Sequence, residues 1–177
     1  MVSLLSRALN RFHRDQRGTV LVEMALVAPL MFLISAGVFE FGNAIHDKFL
    51  MEAGLSDGAR FAARCNSQIY TDAGLAAINC ADIATNIAVF GNVAGSPPAR
   101  VPGWAKANVT VTIANPADCK NAVDSTTGTV LYLSTSSQVC IVTASGTLSY
   151  TGVGLLSLLN IGPITLNGSH QERLIRF

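Results

Sequence analysis

Residues 19–38 read TVLVEMALVAPLMFLISAGV, with one charged side chain, Glu23. About 20 helical residues cross the ~30 Å hydrocarbon core of a bilayer. The stretch is therefore expected to be a transmembrane helix, and Pro29 inside it is better tolerated there than in a soluble helix. Before it lies MVSLLSRALNRFHRDQRG, residues 1–18, with Arg7, Arg11, Arg14 and Arg17 against a single acid, Asp15. Arginines crowded at one end of a span favour the cytoplasmic side. Glu40, Asp47 and Glu52 follow the span. The orientation expected is a cytoplasmic N-terminus with the C-terminal region outside. A cleaved secretory signal is the competing reading, but its apolar region is about 7–15 residues and ends in an A-x-A-like site. This run is longer, and Ile34-Ser35-Ala36 matches such a site poorly.

The whole chain fits this picture. Its 177 residues suit one domain plus an appendage. Half are hydrophobic and only 13% are charged, with a mean hydropathy of +0.41. Disorder needs the opposite balance, and an ordinary soluble enzyme carries about 25% charged residues. A net charge of +1 gives no basic surface for nucleic acid.

Glu23 needs a reason, because a carboxylate in hydrocarbon costs ~2.5–3.5 kcal/mol on insertion scales. Either it reaches up to the headgroups from near the span's edge, or it meets a positive charge at the same depth. It stands five residues past Gly18, which follows the basic leader. That arrangement looks like the type IV prepilin signal: basic leader, Gly, cleavage, then an apolar helix with Glu at the fifth mature position. Within that group RDQRGTVLVEMALVAPLMFLISAGVFEFGNAIHDKFLMEAGLSDGARFAARC, residues 14–65, resembles the TadE-like proteins of the Flp (tight adherence) pilus system. The closing PITLNGSHQERLIRF resembles the family's last strand more weakly. One departure is Met24, where Flp-type pilins favour an aromatic residue.

The resemblance implies a non-enzymatic pseudopilin or minor pilin, without a cofactor, of the bacterial inner membrane and periplasm, with incorporation into a surface fibre. It implies a prepilin peptidase cutting between Gly18 and Thr19, with major and minor pilins and the inner-membrane assembly machinery as partners. Cleavage would free the Thr19 α-amine, which is largely cationic near neutral pH. Glu23 of one subunit would then pair with the Thr19 amine of its neighbour and set the axial register, since opposite charges in apolar surroundings gain most by pairing. Two rivals stand beside this reading: an uncleaved single-pass scaffold of the same system, and a tethered adhesin or binding module.

Beyond the span, residues 39–65 hold no strong helix breaker, and a helix from 19 to 65 would be about 70 Å long. Phe41, Ile45, Phe49, Leu55, Ala59 and Ala62 are expected to form its apolar stripe. Glu40, Asn43, Asp47, Asp57, Arg60 and Arg64 should lie largely elsewhere. Gly54, Gly58 and Ala62, four apart, make a small-residue ridge. It is expected to pack on the chain's own sheet, with a bend or break near Gly42.

Residues 66–177 form the outer domain. A helix is expected over 75–90, a prolyl-rich loop over 96–104, and strands over 107–114, 129–133, 138–145, 147–150, 164–167 and 171–177. Gly146 suggests a bulge or turn between two of them. Residues 154–159 read as a short apolar turn, and Trp104 as the single large core anchor. The fold class is thus α+β and pilin-like, with an antiparallel sheet. Four cysteines, Cys65, Cys80, Cys119 and Cys140, all follow the span and read as a disulfide framework. Of three connectivities, Cys65–Cys80 with Cys119–Cys140 joins neighbouring elements, each loop contributing ~3 kcal/mol in the chain-entropy model.

No metal pattern with C-x₂-C spacing, no H-E-x-x-H and no P-loop is present. His13, His46 and His170 are scattered and read as surface residues. Asn108-Val-Thr110 and Asn167-Gly-Ser169 match the glycosylation acceptor pattern, a match common by chance.

Overall fold

The computed structural model describes residues 17–113, 115–131, 138–152, 154 and 161–175. The leader up to residue 16 with its arginines, Asp15 and His13 lies outside these. So do the end of the 129–133 strand, nearly all of the 154–159 turn, and residues 176–177.

One helix, α1 (Arg17–Arg64), accounts for 48 residues and is about 72 Å long. It runs unbroken through Pro29 and Gly42, so the bend or break expected at Gly42 does not interrupt the helical assignment. Two short helices follow, α2 (Ser67–Asp72) and α3 (Cys80–Phe90). Four strands complete the order: β1 (Val109–Thr112), β2 (Cys119–Asn121), β3 (Gln138–Tyr150) and β4 (Ile164–Arg173). All strand pairs are antiparallel. This is the α+β arrangement expected, a long N-terminal helix carrying a small sheet.

Local chemistry sets the boundaries. The Asn66 side chain accepts from the Gln68 N–H at 3.0 Å and opens α2. Asn79 accepts from the Asp82 N–H at 3.1 Å and opens α3. The helix expected over 75–90 therefore starts five residues later, at Cys80: Asn79 caps better than it propagates. Gly91, at φ 72°, closes α3. Short β2 and α2 were not anticipated, being too brief for a periodic signal. Val130 forms only an isolated bridge with Val123, and the 107–114 strand shrinks to Val109–Thr112 behind a 3₁₀ turn at Lys106–Asn108.

β3 is the spine of the sheet. β4 runs along one side of it, and β1 and β2 share the other. Val142, Ala144, Gly146, Leu148 and Tyr150 face α1 and are buried. Gly146 is neither bulge nor turn, because β3 passes straight through it, and the expected pair of strands is one. β4 likewise passes through Gly168, merging the expected strands 164–167 and 171–177.

The two glycines are cross-strand partners. A Cβ at Gly146 would sit 3.3 Å from Leu55 Cδ2 and from the Trp104 ring, and one at Gly168 would sit 3.0 Å from Leu55 Cδ1 and Met51 Cε. Together they dent the sheet where the helix side chains press into it, which is the close approach that glycine permits.

Met51, Leu55, Ala59 and Ala62 are wholly buried, with Trp104 at 3% exposure among the core. The helix ridge meets α3 rather than the sheet. A Cβ at Gly54 would collide with the Ala88 carbonyl, and one at Gly58 would lie 2.7 Å from the Ala84 carbonyl. Phe41, Ile45 and Phe49 are exposed, at 55%, 53% and 64%. The stripe expected from them divides, because the step of six from Phe49 to Leu55 breaks helical phase. Glu40, Ala44, Met51 and Leu55 hold the covered face instead. Disulfides join Cys65 to Cys80, and Cys119 to Cys140 across paired strands.

Candidate functional site: the uncovered helix and its collar

The apolar window of α1 is 0% buried, and Leu21, Leu26, Leu30 and Phe32 are all exposed, Phe32 at 75%. No atom from outside the local helix lies within 4 Å of a Cβ placed on Gly18. Thr19 and Glu23 are exposed, and no salt bridge joins Glu23 to another described residue. The structure places Gly18, Thr19 and Glu23 within the first two turns of one helix. At i and i+4, Thr19 and Glu23 lie on the same side of it. An apolar helix surface without a protein cover is what a bilayer or a bundle of like helices would occupy.

Coverage begins abruptly at Glu40, whose side chain is 1% exposed. The Tyr150 hydroxyl donates to the Glu40 carbonyl oxygen at 3.1 Å. Gly152, at φ +66°, lies against the Glu40 carboxylate, which a Cβ at that position would displace. Burial, followed by the negative charges of Glu40 and Asp47, pushes the Tyr150 phenol above its usual range. The end of β3 thus forms a collar around α1 at the level where the chain stops being uniformly apolar. Sequence reasoning missed Glu40 as a buried residue. Its spacing of 4, 11 and 15 to Ala44, Met51 and Leu55 was the available signal.

Farther up, Ser56 Oγ lies 3.4 Å from His170 Nε2, and the same nitrogen lies 3.2 Å from Glu172 Oε1. Arg60 Nε donates to that Glu172 oxygen at 3.3 Å. Hydrogen bonding from His170, opposed by desolvation and reinforced by Arg60, holds the Glu172 carboxyl below its usual range. A serine, a histidine and an acid meet here without making a relay. In a nucleophilic triad the acid orients one ring nitrogen while the other takes the serine proton. Here both partners compete for Nε2, so the cluster fastens β4 to α1. His46 is exposed on the helix. Among the described residues no group of three or more potential metal ligands occurs. Asp57 is 2.7 Å from Arg100 and ties the prolyl loop to α1. Both asparagines of the acceptor patterns, Asn108 and Asn167, are exposed on the sheet side.

A long apolar helix with a disulfide-bonded antiparallel sheet domain folded against its upper half is an α+β architecture, and the helix is long and apolar enough to cross a membrane. Residues 18–60 match the model of the family described as TadE-like protein. The matched segment lies wholly within α1 and includes both the uncovered half and most of the collar-bearing half. No curated protein and no solved structure matches the chain.

Proposed function

We propose that this protein is a non-enzymatic minor pilin or pseudopilin of a Tad-type pilus, anchored in the bacterial inner membrane with its sheet domain in the periplasm. The observation that carries the reading is the match over residues 18–60 falling on a helix whose first half is apolar, uncovered and marked by the exposed acid Glu23. A prepilin peptidase cuts between Gly18 and Thr19, and the leader arginines leave with the leader. Glu23 then pairs with the Thr19 amine of a neighbouring subunit. Assembly proceeds through the uncovered helix, with the major pilin, other minor pilins and the inner-membrane machinery as partners. The exposure of Gly18 and Thr19 supports processing, because a peptidase needs an accessible bond.

N-terminal mapping by mass spectrometry, on protein from membranes and from sheared surface fibres, tests this. Thr19 at the mature terminus is the expected result. Met1 retained in both fractions would support the uncleaved scaffold and remove the Glu23–Thr19 pairing.

A further inference from the structure

Composition alone ends the membrane segment at Val38, because Glu40 is the next charged residue. In the folded chain Glu40 is not on the surface: the collar of Tyr150 and Gly152 encloses it at 1% exposure. Val38 (66% exposed), Phe39 (70%), Phe41 (55%) and Ile45 (53%) carry large apolar side chains past that point, and Asn43 and His46 are the first exposed polar residues among them. Just before β4, Ile161 is 45% exposed. Ile164 packs against Ala44 and Tyr150, which places that end of the sheet at the same height on the helix. No Asp, Glu, Lys or Arg occurs between Asp124 and Glu172, so neither strand brings a charge to that end.

We propose that the collar end of the outer domain is itself a lipid contact. The acyl boundary falls near Phe41 to Ile45, and Ile161 rests in the headgroup layer. The inference rests on the membrane-anchor reading and deepens it. The occupant is lipid because the exposed apolar face is continuous with the span, Glu40, the first carboxylate past the span, is enclosed by protein, and the next, Asp47, is half-buried above the proposed boundary. The shift from Val38 is three to seven residues, or about 5–10 Å along the axis. It carries Glu23 the same distance toward the headgroups on the leader side, out of the hydrocarbon position that composition alone assigns.

The test is spin-label depth measurement on the full, disulfide-intact chain in phosphatidylethanolamine/phosphatidylglycerol vesicles. Labels go, one at a time, on Leu30→Cys, Phe41→Cys, Ile45→Cys, Ile161→Cys, Glu23→Cys and Leu75→Cys, each variant checked for a native circular-dichroism spectrum. The expected result is preferential oxygen access at positions 30, 41 and 45, headgroup depth at 161 and 23, and an aqueous signal at 75. Lipid access at 30 with an aqueous signal at 41 or 161 overturns this inference while leaving the anchor intact. An aqueous signal at 30 overturns both. An Ile161→Asp background should move the label at 41 outward, and no movement counts against the contact.

Discussion

The two halves of α1 use one helix in opposite ways. Below Glu40 the side chains are large, apolar and exposed. Above it the decisive positions are small: Gly54, Gly58, Ala59 and Ala62 let α3 and the sheet approach the backbone. Large side chains suit a fluid solvent that conforms to any shape. Small ones suit a rigid partner, where backbone proximity sets the fit. The contrast teaches that hydrophobicity along this helix does not tell which half is buried in protein.

Enlarging a small position in the upper half should have the largest structural effect. Gly54→Leu forces α3 off Ala88 and should cost ~3 kcal/mol or more, at or beyond the upper end for overpacking. It should be read as a fall in the thermal midpoint of the outer domain in detergent, with membrane insertion unchanged. The matching change below, Gly37→Leu, meets no atom within 4 Å and should leave that midpoint alone. Equal losses from both would erase the comparison.

Next comes loss of the Cys119–Cys140 bridge. Replacing both cysteines by serine should cost ~3 kcal/mol, seen as a lower denaturant midpoint that reducing agent no longer shifts through this pair. Glu23→Ala sharpens the contrast from the other side. It should leave the thermal midpoint and insertion unchanged yet abolish surface fibres in electron micrographs. Fibres made at normal levels would defeat the pairing of Glu23 with Thr19.

Tyr150→Phe removes the bond to the Glu40 carbonyl and should cost about 1 kcal/mol, again by denaturant midpoint. Smallest is a pH effect at the β4 clasp. The Glu172 carboxyl lies below its usual range in the folded state. Its stabilisation is therefore present above the ordinary glutamate pKa and is lost as pH falls through the lower folded value. Glu172→Gln should flatten the decline in stability below about pH 4.5, an effect kept small by solvent access around the clasp.

How much could be read in advance differed by element. The span and its continuation into one long helix were legible, because twenty apolar residues followed by no breaker leave few alternatives. Strand positions were legible in part. Gly146 was read as an interruption, since glycine in a strand usually marks one, and Gly168 fell in the gap between two expected strands. Their cross-strand pairing beneath Leu55 and Met51 depends on register, which no local window contains. Leu55, Ala59 and Ala62 of the expected stripe are buried, while Phe41, Ile45 and Phe49 are exposed, because the step of six from Phe49 to Leu55 joined two different faces into one pattern. The Ser56–His170–Glu172 cluster joins α1 to a strand more than a hundred positions away; Ser56 stands in Gly54-Leu55-Ser56-Asp57-Gly58, which has the letters of G-x-S-x-G but lies inside α1 rather than at a strand-to-helix turn.

By itself the sequence determined that a single apolar helix leads, that an acid interrupts it near its start, and that a cysteine-bearing α+β domain follows. Length, hydropathy and residue order are one-dimensional properties and need no folded chain to act. Only the tertiary structure decided which face of the helix is covered, that Glu40 is enclosed while Phe41 is not, and that paired glycines receive Leu55. Those outcomes follow from close packing between distant segments, where the shape left by one chain region selects the side chain of another.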